Sequence, residues 1–197
     1  MGLFDIFRKK EEAEPLTDAK KEALIEAYRM KEDPLIKDLQ LKPLGKTDTY
    51  IEGKAYCRLW DTLVDVDLYG DVSIEYAEKC VKAMNSIPDE LIDAICQTAK
   101  NYCLEFLDAI GGAEENDIEL AIPVDEDTPA LEILKCFDID TLAVETPKDP
   151  SRIGYQLSGN CDWEQEHGIE IVILDDKLLY LGEFVGESPW RDRQTDS

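Results

Sequence analysis

The chain has a single histidine, His167, which excludes any multi-histidine metal centre. Its six cysteines, Cys57, Cys80, Cys96, Cys103, Cys136 and Cys161, are spaced 23, 16, 7, 33 and 25 residues apart. No CxxC pair occurs, so the ligand spacing of thiolate zinc sites and of dithiol redox motifs is missing. Cys96 and Cys103 lie about two helical turns apart on one face, a placement that suits burial as small hydrophobes. With no secretory signal ahead of them, the six read as reduced thiols, and a cytoplasmic location is expected. No apolar run is long enough to span a bilayer, so no integral membrane segment is expected. Neither an internal repeat nor a second domain is visible.

Positive charge is scarce where the chain is expected to fold. The net charge is −24, and residues 1 to 43 hold 9 Lys or Arg against 10 Asp or Glu, leaving 12 against 35 for residues 44 to 197. Phosphate backbones and anionic membranes need cationic surface, so direct nucleic-acid binding is disfavoured and a basic protein partner is favoured. Solubility is the plainer use of such charge, and both readings stand at this point. The excess is clustered: residues 113 to 150 hold 12 acidic residues against Lys135 and Lys148. Within that stretch Glu114, Glu115, Asp125, Glu126 and Asp127 are the candidate partner-binding residues.

The hydrophobic fraction, 44%, is ordinary for a globular protein, and 197 residues suit one domain with appendages. The opening "MGLFDIFRKK" reads either as a docking or fraying terminus or as a short interfacial or partner-binding helix. Ile6 stands where a myristoylation pattern requires Ser or Thr. A helix is expected from the Thr17 cap to the stop at Asp33 and Pro34. Past Pro43 the period changes, and residues 50 to 59 and 62 to 69 read as strands, with Val64, Val66 and Leu68 alternating with Asp65 and Asp67. "DVDLYGD" misses a calcium loop, because Tyr69 and Tyr76 occupy ligand positions.

Helices are expected over 74 to 85 and 89 to 110, the second with a broad apolar stripe. A short helix follows Pro129, and four strands are expected over 139 to 146, 153 to 161, 168 to 174 and 178 to 185, the last two joined by a turn at Asp175 and Asp176. Residues 118 to 124 are a candidate edge strand inside the acidic connection. The fold class expected is α+β: a mainly antiparallel sheet of about five to seven strands, packed by two central helices, with an N-terminal helix. A tail and helix in 1–40, a single domain in 41–187 and a polar, fraying tail in 188–197 complete the layout.

"CDWEQEHGIEIVI" gathers most of the chemistry-bearing residue types. Asp162, Trp163, Glu166, His167 and Gly168 read as a structural turn, with Gly168 taking a positive φ and Trp163 burying its ring. A metal set of Cys161, Asp162, Glu166 and His167 is the sharper alternative, although its spacing matches no established site. A Cys161 and His167 nucleophilic pair has no third orienting group. No catalytic residue, metal or cofactor is assigned.

The segments "PLGK", "YIEGKAYCRL" and "VDVDLYGD", followed by a closing DWxxEHG hairpin and "LYLGEF", resemble a set of small bacterial domains of unknown function from about Leu41 to Val185. The resemblance implies an antiparallel α+β fold and, for some of its members, an immunity-like setting beside secreted toxins. It brings no catalytic residues with it. The function expected is therefore non-enzymatic: an acidic, immunity-like domain that captures a basic partner. The alternative is a small metalloprotein or enzyme built around residues 161 to 168.

Overall fold

The computed structural model describes residues 35–45 and 48–191. Seven strands form one sheet in chain order: β1 Lys37–Leu44, β2 Asp48–Cys57, β3 Thr62–Tyr69, β4 Thr141–Glu145, β5 Gly154–Gly159, β6 Ile169–Leu174 and β7 Lys177–Gly182. Every neighbouring pair is antiparallel except β3 with β4, which run parallel in the register Val66 to Leu142. Helices α1, Ile74–Met84, and α2, Asp89–Ile110, precede two short 3-10 helices, Glu114–Asn116 and Ala130–Lys135.

This architecture corrects the expected one. Strand accounts for 33% and helix for 27% of the described structure, so the sheet and not a helical layer dominates. A parallel pair cannot be closed by a hairpin and needs a long crossover. Both helices lie inside that crossover. They do not form a central pair packed on the sheet: α1 meets the sheet at β2, and α2 packs on β7 and on the 3-10 helix Ala130–Lys135. The expected N-terminal helix, and the reading of the opening segment, fall outside the described residues.

Alternation gives the sheet two unlike faces. Ala55, Val64, Val66, Leu142, Leu157, Ile171 and Ile173 share one face and join a core completed by Tyr76, Cys80, Ile95, Ala99 and Cys103 of the helices. Ser73 caps α1 by accepting from Tyr76 N, and Asn85 ends it by donating to the Tyr56 carbonyl. The opposite face is polar over β2 and β3, where Lys54 pairs with Asp65, Glu52 with Lys42, and Tyr50 stacks on Tyr69 at 5.4 Å.

Toward β5 and β6 the second face is covered by residues 183 to 190. Glu170, wholly buried, accepts the N–H groups of Val185 at 3.1 Å and Glu187 at 3.0 Å and the amide of Gln156. Ser188 Oγ donates to Glu145, and the Trp190 ring lies where a Cβ on Gly154 would meet it at 2.7 Å. Residues 188 to 190, expected to fray, thus lay Trp190 into the core at 7% exposure.

Three further elements depart from the sequence reading. β1 was not expected; its Pro43 and its exposed Leu39, Leu41 and Leu44 suit an edge strand, which among the described residues pairs with β2 alone. Residues 118 to 124 pack Leu120, Ile122 and Val124 against the core but form no ladder. The helix after Pro129 is of the 3-10 type.

Asp67 on the polar face carries a cost. Burial pushes its carboxyl up to about 6, Glu52 and Asp65 add to the rise, and its Oδ1 has no hydrogen-bond partner. A carboxyl whose folded pKa exceeds its unfolded one favours the protonated native state, so the penalty is full above that pKa and gone below the unfolded value. Asp67→Asn is expected to raise stability at pH 7 to 8 by about 1 kcal/mol, the full linkage value being cut by the solvent that still reaches this half-buried carboxyl. In paired urea melts the gain should shrink through pH 6 and vanish near pH 4; a gain that persists at low pH contradicts the assignment.

Candidate functional site

The turn between β5 and β6 begins at Cys161, which bridges to Phe137, and Asp162 N donates to the Cys136 carbonyl at 2.9 Å. Gly168 closes it at φ 68, with its N–H on the Glu164 carbonyl at 3.1 Å. A Cβ there would run into the Gly159 carbonyl, so the position combines a left-handed backbone with a close approach. Between these ends the chain uses one side chain that the sequence reading did not single out. The Glu164 carboxylate, 9% exposed, accepts from Glu166 N at 3.0 Å, from His167 N at 2.9 Å and contacts His167 Nδ1 at 2.9 Å. A carboxylate bonding amides two and three residues on is the local signature of an acidic turn residue, and Glu164 stands at that offset from His167.

Trp163 points the other way, at 1% exposure, and meets Tyr102 of α2 edge-on at 5.6 Å and Phe137 at 6.2 Å. Its ring joins the turn to the helix. Asp162 reaches a third element: its Oδ2 accepts Ala121 N at 2.8 Å from the acidic connection. Glu166 and His167 are exposed. The four-ligand set of Cys161, Asp162, Glu166 and His167 is not brought together. The donors that do converge among the described residues are Glu164, His167 and Glu183, each offering one ligand atom within 4.8 Å of the others. Glu183 follows β7 and is remote in sequence.

A shallow cleft beside the turn is lined by Lys135, Phe137, Asp138, Asn160, Asp162 and Gln165, with Cys161 behind them. Cys161 is no nucleophile there. Its thiol donates to the Glu164 carbonyl at 3.3 Å, and burial pushes it up to about 12. All six cysteines are free and buried; Cys80 and Cys103 are likewise pushed up to about 12 and Cys96 to about 11. The thiolate needed for attack is essentially absent at neutral pH.

The acidic connection is held at several points. Lys100, a buried cation on α2, donates to the carbonyls of Glu126 at 2.6 Å and Thr128 at 2.7 Å. Asn116 donates to the carbonyls of Ile110 and Gly112, each at 2.9 Å. Asp125 spends its carboxylate on the turn, accepting from Asp127 N and from Thr128 N and Oγ1, which lowers its pKa. Glu114, Glu126 and Asp127 face solvent, and Glu115 follows Glu114 in the 3-10 helix that opens the connection.

Residues 35–188 match the family described as Domain of unknown function (DUF6985). The chain belongs to that family. No curated protein and no solved structure matches it. The family assignment spans the whole sheet, the crossover and the turn, so each feature above belongs to the domain. No helix among the described residues is long and apolar enough to cross a membrane.

If the turn is structural, its residues should sort by burial. Trp163→Ala is expected to cost ~3 to 5 kcal/mol, and Gly168→Ala more than about 1 kcal/mol through backbone strain. His167→Ala, at an exposed position, should cost below about 1 kcal/mol. Urea melts of the three variants decide it; an unchanged midpoint for Trp163→Ala removes the turn from the core.

Proposed function

We propose that the domain is a non-enzymatic, acidic protein-binding module that captures a basic partner, in the manner of an immunity protein. The observation that supports this reading is the anchoring of the acidic connection. Residues 113 to 127 carry seven carboxylates and no cation; Lys100 and Asp162 hold their backbone and Asn116 ties their start to the end of α2, while most of the carboxylates remain outward. Charge kept only for solubility has no need of a defined backbone; a surface that must match a partner gains from one, because less order is lost on binding. Opposed charge also speeds encounter over roughly a Debye length of ~8 to 10 Å.

Glu114, Glu115, Glu126 and Asp127 are the contact residues assigned here, with Asp125 shaping the loop that displays them. An enzyme built on residues 161 to 168 draws little support, since Cys161 is buried and its thiol stays protonated. Bacterial origin and an immunity role follow from the resemblance in the closing hairpin and belong to this proposal.

The test spares Asp125, whose loss would melt the turn. A variant carrying Glu114→Gln, Glu115→Gln, Glu126→Gln and Asp127→Asn should fold as the wild type does. Pull-downs from native lysate at low salt are expected to recover basic proteins with the wild type, to lose them as salt rises, and to fail with the variant. Equal recovery by both proteins, or recovery indifferent to salt, rejects the acidic surface as the binding site.

A further inference from the structure

We propose that Glu164, His167 and Glu183 form a binding site for one first-row divalent cation, zinc above the others. The three donors lie within 4.8 Å of one another, an imidazole nitrogen and two carboxylate oxygens drawn from the β5–β6 turn and from the residue just past β7. Zinc holds such ligands at about 2.0 to 2.2 Å, so donors around one ion sit roughly 3.3 Å apart. His167 Nδ1 and Glu164 Oε2 are already 2.9 Å apart, and the exposed side chains of His167 and Glu183 are free to close the remainder.

Glu164 is prepared for the task. Its carboxylate is nearly buried, and the N–H groups of Glu166 and His167 fix both oxygens while leaving lone pairs available. A second observation points the same way. The Tyr102 hydroxyl is shielded from solvent with no hydrogen-bond partner among the described residues, and burial first, then Cys161, Glu164 and Glu183, push its pKa up. Calcium and magnesium prefer six or more oxygen ligands, which this set does not supply; one imidazole with two carboxylates suits zinc. A fourth position would be left to water. Such an ion would clip the turn to the residues that cover Glu170, and the site stands apart from the acidic surface proposed above.

The full chain, stripped with chelator and dialysed against zinc, is expected to hold one zinc per chain by elemental analysis. His167→Ala and Glu183→Gln, both at exposed positions that leave the fold intact, should each weaken zinc binding by at least about tenfold. The cobalt-substituted protein should show d–d bands without the near-ultraviolet charge-transfer band of thiolate ligation. Zinc should raise the melting temperature of the wild type and leave both variants unmoved. Substoichiometric zinc, wild-type affinity in both variants, or a thiolate band overturns the site.

Discussion

The parallel pairing of β3 with β4 is the constraint on which the rest of the molecule hangs. A parallel neighbour must be reached by carrying the chain back along the sheet, and here the return takes residues 70 to 140. Both helices, the acidic connection and the 3-10 helix before β4 are parts of this one excursion. Two antiparallel runs, β1 to β3 and β4 to β7, are thereby joined edge to edge into a single sheet. The helices lend residues such as Tyr76, Cys80, Ile95 and Cys103 to the core from the sheet's margins, and the leftover length becomes the exposed acidic loop.

Holding that loop requires contacts from both ends of the excursion. Lys100 grips it from α2, and Asp162 grips it from the β5–β6 turn. The turn is itself fixed in two directions: Glu164 satisfies its amides on the solvent side, while Trp163 wedges between Tyr102 and Phe137 on the core side. A buried lysine is tolerated because two carbonyls receive it. The acidic surface and the turn are consequently mechanical neighbours, though they lie about forty residues apart in sequence.

Much of this was legible where a pattern is local. Val64, Val66 and Leu68 against Asp65 and Asp67 announce a half-buried strand, and Asp175 with Asp176, at φ 49 and 57, makes the hairpin turn that the paired aspartates suggest. Periodicity names a face but not a neighbour, so the parallel β3–β4 pair and the helices' peripheral role were not readable. β1 escaped because an edge strand with one proline and three exposed leucines carries no buried face to alternate. At the turn, Trp163 and Gly168 were visible as large ring and flexible hinge. Glu164 was not, since nothing in a string of acids marks which one turns inward, and Glu183 meets the turn only through the sheet.

The covering of Glu170 by residues 183 to 190 also bears on how the chain is made. β6, buried along its whole length, is the sixth strand to leave the ribosome, and the segment that shields its second face follows β7. A nascent chain that has emerged only to β7 shows Val172 and the Gly154 notch bare, with the Glu170 carboxylate lacking its amide donors. Trp190 fills the notch only at the end. The sheet is therefore complete only after residues 183 to 190 have emerged and docked, and until then the uncovered face of β6 is open to off-pathway contacts.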